Sequence, residues 1–315
     1  MDVVFLFMVY KNADFVYHTC QRLSAPNVYF HIHVDSKSEE DFGRLKELKN
    51  VSFSSKRFSA EWAGPGIIYA IVHCLAEISD RFTNGHVVLV SESDYPVKSI
   101  EYISNYLLDN ADKDFIKITP LPAKNPLDTP NSDWLEGGMR KINCYALRLT
   151  PRMIATIEPR KYNWGNARQF IKVLLYKPSR IKDAFSLLRK ERRSHPHGIT
   201  YSGGDLWFVL RMSTVKAVLD CINNDASIME EAKWAESIDE IFFQSIVGSI
   251  IPPKEVVHST LRFVNWPFKK TSSPDFLILD DGEKILSQVN NPDILFVRKV
   301  SDPRVAQFID DKING

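Results

Sequence analysis

The sequence predicts an α/β fold in which a mostly parallel sheet is covered by helices. Strand and helix patterns alternate through the first 120 residues. Helical patterns of about ten to fifteen residues separate the strands, which is the spacing of βαβ units. The run Val87–Val90 is apolar throughout, as expected of a central strand that is buried on both faces. With 315 residues and 44% hydrophobic content, the chain can fill a sizeable core.

The individual elements follow from apolar periodicity and from turn formers. Strands are predicted at 3–10, 28–34, 51–54, 87–90 and 115–118. Helices are predicted at 14–23, 39–48, from Gly64-Pro-Gly66 to about 82, and 100–108. Residues 121–131 are rich in proline and lack periodicity, so they are predicted to form a surface loop. No internal repeat or linker divides the chain, and we expect a single domain over 1–315.

Composition excludes several classes of protein. The 40 basic and 39 acidic residues nearly cancel, so no global field attracts nucleic acid. The four cysteines are widely separated and are expected to be reduced packing thiols. No apolar run reaches the ~18 residues that a membrane span needs, and no signal-peptide pattern opens the chain. We therefore expect a soluble, cytoplasmic protein.

Polar residues follow two of the predicted strands. Glu92 and Asp94 come directly after Val87–Val90, at the strand end where open α/β sheets place ligand contacts. The alternative is an ordinary turn with solvated carboxylates. On the second strand, His31, His33 and Asp35 alternate and therefore face one side. They could ligate iron or zinc; alternatively, the histidines pack in the sheet and Asp35 binds a nucleoside.

Four later segments carry further candidates. Ser237-Ile-Asp-Glu240 matches the capping-box pattern, but Glu240 at a helix N-terminus is also suited to act as a general base. The paired glycines of Tyr201–Trp207 permit close approach, and Trp207 can stack on a sugar, although a plain turn entering a helix would look alike. Trp266 is either a core residue or an acceptor platform. Arg298 and Lys299 end an apolar run and are either solvated or face a diphosphate.

The order and spacing of these segments give a resemblance to a known family. The chain resembles the core-2/I-branching β-1,6-N-acetylglucosaminyltransferase and peptide O-xylosyltransferase family. The matching segments are 27–38, Trp62-Ala-Gly64, Ser91–Pro96, Ser202–Trp207, Ile238–Gln244, Leu261–Trp266 and Leu295–Lys299. They extend from one end of the chain to the other in the family's order. Residues 120–196 match poorly, and acceptor recognition would vary there.

The resemblance implies a GT-A-like glycosyltransferase fold, a UDP-sugar donor and inversion of the anomeric centre. It implies that Glu240 is the base, that Asp35 contacts the nucleoside, and that Lys299 faces the donor diphosphate in place of a metal. It also implies an acceptor-side role for Trp266. We add Asp94 and Arg298 to the donor site and Trp207 to the acceptor site. A second family cation does not align here, and its candidates are Arg262, Lys269 and Lys270.

Glu92 departs from the family pattern, which has a small residue at this position. With Asp94 it restores an acidic E-x-D that is able to hold Mg²⁺ or Mn²⁺. The charge of the leaving UDP must be offset by such a metal or by fixed cations. Because Arg298 and Lys299 favour the cations, we expect that no metal cofactor is required.

The predicted function is therefore transfer of N-acetylglucosamine, xylose or a related sugar from a UDP-sugar to a hydroxyl of a glycan or glycolipid. The expected parts are a nucleotide-sugar-binding half (1–120), an acceptor-binding and catalytic half (121–270) and a C-terminal segment that returns to the diphosphate (271–315). One alternative is a metal-dependent nucleotidyl or sugar-phosphate transferase that uses Glu92 and Asp94. Another is a catalytically silent carbohydrate-binding protein.

The basic segment 177–193 bears on the acceptor. Ala184, Phe185, Leu187 and Leu188 interleave its cations, giving a short amphipathic stretch. It is either a solvated helix face or a peripheral contact with an anionic membrane. The second interpretation fits a lipid-linked saccharide acceptor in a bacterial surface-polysaccharide pathway, at the inner face of the membrane. The missing anchor and the unlinked cysteines also favour a bacterial origin.

Overall fold

A computed structural model describes residues 1–61, 63–125, 127, 134–151, 153–191, 196, 198–267 and 273–314. The strands are β1 Val3–Val9, β2 Val28–Val34, β3 Val51–Phe53, β4 His86–Ser91, β5 Asp94–Pro96, β6 Asp114–Ile116, β7 Thr119–Pro120, β8 Tyr145–Thr150, β9 Met153–Ile157, β10 Ser202–Gly203, β11 Phe208–Arg211, β12 Val256–Val257, β13 Arg262–Val264 and β14 Phe296–Arg298. The helices are α1 Ala13–Arg22, α2 Gly66–Ser79, α3 Ile100–Asp109, α4 Met139–Asn143, α5 Trp164–Tyr176, α6 Ile181–Arg189, α7 Met212–Asn224, α8 Ala226–Trp234, α9 Phe242–Ile250, α10 Gly282–Asn290 and α11 Pro303–Asn314.

The central sheet has the strand order β12-β6-β11-β4-β1-β2-β3. Strand β1 lies between β4 and β2 and is parallel to both. Every residue of β1 and β4 is buried, because helices cover both faces. The side chains of β1 alternate between two cores: Val4, Leu6 and Met8 pack with α2, α7 and α9, whereas Phe5 and Phe7 pack with α1 and α3. The predicted α/β fold with a mostly parallel sheet is confirmed and is consistent with a GT-A-like fold.

Two predicted elements differ in the structure. Residues 39–48 were expected to form an α-helix, but only Gly43–Glu47 are helical, as a short 3₁₀ turn. The segment that ends at Trp207 does not lead directly into a helix. It leads into β11, which is antiparallel to its neighbours β4 and β6 and makes the sheet mixed. Helix α7 follows only after β11, so the turn precedes a buried strand in the middle of the sheet.

Two smaller units flank the central sheet. A three-stranded sheet of order β13-β14-β5 brings Asp94 opposite Arg298 and Val264 beside Arg298. The hairpin β8–β9 packs with α5 and α6 around a separate apolar cluster that includes Leu147, Val173 and Leu187. The first unit adds β13 and β14 to β5, just beyond the end of β4, and the second is built from residues within 120–196.

Candidate active site

The predicted donor residues lie at the carboxyl ends of the parallel strands. Val9 pairs with Val34 and Met8 with Ser91, so β1, β2 and β4 end at one edge of the sheet. Asp35 follows β2 directly, and Glu92 follows β4. The Asp35 carboxylate is buried and accepts hydrogen bonds from the backbone N–H groups of Lys37 (2.8 Å) and Ala60 (2.9 Å). Each carboxylate oxygen keeps a further lone pair, so a nucleoside contact by Asp35 is compatible with these bonds.

The two histidines of β2 are hydrogen-bonded inside the protein. His33 Nε2 accepts a hydrogen bond from the Phe58 N–H (2.9 Å), and burial lowers the pKa of His33 to about 4. His31 lies between Ser52 Oγ (2.9 Å) and Glu77 Oε2 (3.0 Å). These contacts favour the packed-histidine interpretation over metal ligation by His31, His33 and Asp35. Among the residues that the structure describes, three potential ligands come together only at His31, Cys74 and Glu77.

Asp94 is the centre of a buried ion-pair cluster. Its Oδ1 lies 2.7 Å from Arg262 Nε and its Oδ2 lies 2.9 Å from Arg298 Nη1. The backbone N–H and the hydroxyl of Ser91 also donate to Oδ2, at 2.8 and 2.7 Å. Burial alone would raise the pKa of Asp94, but the two arginines and Ser91 outweigh it and hold this pKa below its usual value. The side chains of Asp94 and Arg262 have no solvent exposure.

Trp207 covers this cluster. The Arg298 guanidinium lies 4.2 Å from the Trp207 ring centroid and that of Arg262 lies 4.9 Å away, within the range of cation–π contacts. The Trp207 ring thus packs on the two arginines, and the residue is half-buried. Trp266 is also half-buried and follows β13, whose last residue, Val264, pairs with Arg298. Of the two predicted acceptor-side tryptophans, Trp207 thus contacts Arg298 directly, whereas Trp266 lies two residues beyond the strand partner of Arg298.

Three cations gather where β4 ends. Burial is the main cause that lowers the pKa of Lys299, and the positive charges of Arg298 and Lys11 lower it further. Glu92 lies in the same field: burial raises its pKa, while Arg298 and Lys11 oppose that increase. Mutually repelling cations at one place are suited to bind an anion. Lys299 Nζ also donates to Ser273 Oγ at 2.5 Å.

The E-x-D pair is poorly arranged for a divalent metal. A Mg²⁺ or Mn²⁺ ion needs carboxylate oxygens that point toward it. Both oxygens of Asp94 face arginines, and one of them also accepts two hydrogen bonds from Ser91. Glu92 is buried, and its raised pKa disfavours the ionised form. These residues therefore do not fit a bound metal.

Three residues are candidates for the second family cation. One of them, Arg262, is the buried partner of Asp94. The other two, Lys269 and Lys270, lie outside the described residues, as does Trp62.

Glu240 lies just before α9, at the end of the 3₁₀ turn Ile238–Glu240. The expected capping box is not formed: Ser237 has φ 50° and makes no side-chain cap, and its N–H donates to the Ala63 carbonyl instead. The capping interpretation is therefore wrong. Glu240 Oε2 accepts a hydrogen bond from Lys141 Nζ at 2.5 Å, and the side chain is 28% exposed. In the described part of the chain no group donates to Glu240 Oε1, which leaves one oxygen for a ligand.

The segment from Ser202 to Trp207 connects the base candidate to the cations. The Gly204 N–H donates to the Glu240 carbonyl (3.0 Å), and three residues later Trp207 contacts Arg298. A Cβ at Gly204 would lie 2.0 Å from the Lys117 carbonyl oxygen, so this close approach requires glycine. Asp205 lies between Gly204 and Trp207. Burial is the main cause that raises the pKa of Asp205 to about 6, and the charge of Glu240 raises it further, whereas Lys117, Arg262 and Arg298 lower it. The charge of Asp205 therefore interacts both with Glu240 and with the arginines Arg262 and Arg298.

A cavity of about 350 Å³ lies beside the Lys141–Glu240 pair. Lys141 lines it and also stacks on Trp134 at 3.7 Å from the ring centroid. Thr156 and Glu236 contribute polar groups, and α5 contributes Gln169 and Lys172. The mixture of an aromatic ring and hydrogen-bonding groups is suitable for a saccharide.

Several residues of the site were missed in the sequence. Lys141 lies in the poorly matching region and has no local pattern. Asp205 stands inside the segment 201–207, whose glycines and tryptophan carry the sequence signal. Asp239 precedes Glu240, and burial and its charged neighbour raise the pKa of Asp239 to about 7. Lys11 follows β1, and its position after a parallel strand was the one available signal.

Comparison with known proteins agrees with this architecture. Residues 3–126 match the sequence model of the Core-2/I-Branching enzyme family. "Xylosyltransferase oxt" of Drosophila melanogaster is 30% identical over 109 residues, which are 32% of this chain and 12% of that protein. The Drosophila pseudoobscura pseudoobscura protein of the same name is 29% identical over 107 residues, with the same coverage. "Xylosyltransferase 2" of Rattus norvegicus is 22% identical over 247 residues, 76% of this chain and 23% of that protein.

The chain thus spans from about an eighth to a quarter of the length of these relatives. The family match covers β1 to β7 and includes Asp35, Glu92 and Asp94. The segments with Trp207, Glu240 and Lys299 lie beyond it, and their roles stay predictions. The matched segment is therefore similar to the Core-2/I-Branching enzyme family, and the fold is consistent with that similarity.

Proposed function

We propose that the chain is an inverting glycosyltransferase that moves a sugar from a UDP-sugar to a hydroxyl of a glycan. The observation that carries this proposal is the path from Glu240 to Arg298. One short segment bonds to Glu240 at Gly204 and contacts Arg298 at Trp207. This segment supports placing a candidate base and a candidate anion-binding group in one site, as direct displacement at a sugar carbon requires. A silent binding protein would need no such pairing.

The donor side is assigned to the ends of β1, β2 and β4. Asp35 would accept hydrogen bonds from the uracil or ribose, held in place by the N–H groups of Lys37 and Ala60. Lys11, Arg298 and Lys299 would surround the diphosphate and offset the charge of the leaving UDP. Asp94 would act through Arg298, which it orients with Ser91. Because fixed cations supply this charge, the proposed reaction requires no divalent metal.

On the acceptor side, Glu240 would take the proton from the attacking hydroxyl as the bond to the anomeric carbon forms and the bond to UDP breaks. Its Oε1 is the oxygen proposed to accept that proton, because Lys141 holds Oε2. The cavity beside Lys141 would hold the acceptor saccharide. Trp266 would line the acceptor, and Trp207 would contact the sugar as well as Arg298. Among the candidate sugars, the names of the relatives favour xylose over N-acetylglucosamine.

A panel of UDP-sugars tests the proposal. Thermal stabilisation and slow donor hydrolysis are measured with UDP-xylose, UDP-N-acetylglucosamine, UDP-glucose and UDP-galactose, with GDP-mannose as the control nucleotide. At least one UDP-sugar is expected to raise the melting temperature, because a ligand that binds only the folded state stabilises it. Equal responses to UDP and GDP donors, or none to either, would reject the proposed function.

Replacing Lys299 by alanine is expected to weaken UDP binding and to slow transfer by roughly tenfold or more, since a hydrogen bond to a charged group contributes about 1.5–3 kcal/mol. Calorimetry with UDP measures the binding, and Lys312→Ala, which replaces an exposed lysine on α11, is the control.

EDTA is expected to leave the wild-type rate unchanged. If EDTA abolishes activity and Mn²⁺ restores it, Glu92 and Asp94 hold a metal instead, which is the arrangement of the metal-dependent transferase alternative.

A further inference from the structure

One face of the α5–α6 pair exposes large apolar side chains. Leu175 is 73% exposed, Trp164 67% and Leu174 53%, and Ile171 is also exposed. Their spacing places Trp164, Ile171 and Leu175 on one stripe of α5. We call Trp164, Ile171, Leu174, Leu175, Tyr176 and Phe185 the α5–α6 face. Contiguous exposed apolar residues of this kind mark a contact surface, unlike single ones.

The opposite side of α5 already has its packing partners. Val173 is buried against Ala184, Leu187 and Leu188 of α6 and against β8 and β9. Phe170 packs on Phe185 with ring centroids 4.7 Å apart, so the two helices are fixed to one another. The exposed stripe is therefore not needed to hold the helices in place. The exposed stripe is thus free to contact another molecule or surface.

Cations surround the α5–α6 face. Arg168 lies on the same side of α5, with its guanidinium 5.8 Å from the Trp164 ring centroid. Lys177, Lys182 and Arg189 are exposed, and within the described ranges none of these three has a carboxylate partner. Arg180 does have one, Asp183. This basic stretch is the segment 177–193 of the sequence, of which residues 192 and 193 lie outside the description. The near neutrality of the whole chain makes this a local concentration of charge.

We propose that the α5–α6 face docks on an anionic lipid surface. Leucine, isoleucine and phenylalanine would enter the boundary between headgroups and acyl chains, with Trp164 and Tyr176 at the level of the headgroups. Lys177, Lys182 and Arg189 would contact the lipid phosphates. A protein partner is less consistent with this surface, because protein interfaces are depleted in lysine, whereas interfacial membrane helices are rich in it. No helix in the described part of the chain is long and apolar enough to cross a membrane.

The docked orientation also bears on the acceptor, in a step that rests on the proposed function. Gln169 and Lys172 of α5 line the cavity that contains Lys141, the partner of Glu240. A membrane beneath α5 would therefore lie next to the cavity proposed for the acceptor. This arrangement suits a saccharide carried on a lipid, whose anchor stays in the bilayer while its sugar enters the cavity.

Vesicle flotation without any sugar donor tests the docking. The wild-type chain is expected to float with vesicles of equal parts phosphatidylglycerol and phosphatidylcholine, more completely at low salt, and weakly with phosphatidylcholine alone. Each of Lys177→Gln, Lys182→Gln and Arg189→Gln is expected to weaken binding about fivefold. The double variant Leu174→Ser/Leu175→Ser is expected to weaken vesicle binding at least tenfold, at low salt and at physiological salt alike. The control Ile278→Ser/Leu279→Ser alters exposed apolar residues elsewhere and should float like the wild type.

Two results would overturn the proposal. One is a wild-type chain that stays at the bottom of the gradient with anionic vesicles at low salt. The other is a dimer, seen in sedimentation equilibrium, that Leu174→Ser/Leu175→Ser dissociates, since a second copy would then cover the face. Melting temperatures of all variants check that they fold. Because flotation needs no donor, a transferase that responds to UDP-sugars but does not float would refute the docking and leave the proposed function intact.

Discussion

Replacing Glu240 by glutamine is expected to lower the turnover number of sugar transfer by ~100-fold or more, the contribution typical of a positioned general base. Glutamine keeps the shape of the side chain, and its amide oxygen can still accept a hydrogen bond from Lys141. It cannot take the proton of the attacking hydroxyl. Donor binding should change little, because the cations proposed for the diphosphate lie at the other end of the Gly204–Trp207 segment. Initial rates at saturating donor, with calorimetry for UDP, separate the two effects.

Glu158→Gln is the matched control for this experiment. Glu158 also pairs with a lysine, Lys161, at 2.7 Å, but it lies outside the site. Its loss removes a comparable ion pair and should leave turnover unchanged. Two other carboxylates near Glu240 could take the proton in its place, so Asp205→Asn and Asp239→Asn belong in the same series. Near-normal turnover of Glu240→Gln, with a large loss in either of these, would assign the base to that aspartate.

The parts of the fold that the sequence predicted are those set by local pattern. Strand β2 has the predicted bounds, 28–34, because apolar residues recur at every second position from Val28 to Val34 and turn formers limit the run. The positions of Asp35 and Glu92 followed from one geometric rule, that parallel strands end at the same edge of the sheet. Strand β11 was missed because its neighbours are distant in the chain. Four residues that follow a glycine turn carry too little periodicity to be separated from the start of α7.

The contacts that define the site are not local. Lys141 and Glu240 are 99 residues apart, and Arg298 is 204 residues from Asp94. No spacing rule in a single sequence connects such pairs. The capping-box prediction failed for a related reason. Ser237 adopts φ 50°, and its N–H donates to the carbonyl of Ala63, which lies in the loop before α2. The local sequence around Ser237 carries no information about such a distant partner. Tertiary contacts overrode the local signature.

Asp94 is where these non-local contacts have the largest expected energetic effect. Replacing Asp94 by alanine would leave Arg262, whose side chain has no solvent exposure, without its charge partner. Breaking a buried ion pair in this way costs about 3–5 kcal/mol, so the free energy of unfolding in urea should fall by that amount. Arg298 would lose its anchor as well, and UDP binding should weaken. Asp302→Asn, which breaks an exposed pair with Arg304, should leave the unfolding midpoint nearly unchanged.

A double variant distinguishes the ion-pair role of Asp94 from a metal-binding role. If the loss arises from the uncompensated Arg262 charge, Asp94→Ala/Arg262→Met should be more stable than Asp94→Ala alone, because methionine removes the buried cation and keeps much of its volume. A metal ligand would behave differently: Mn²⁺ would stabilise the wild type and not Asp94→Ala, and the removal of Arg262 would restore nothing. That second pattern would show that the E-x-D pair opens toward a metal and that its closure onto the two arginines is not the state in solution.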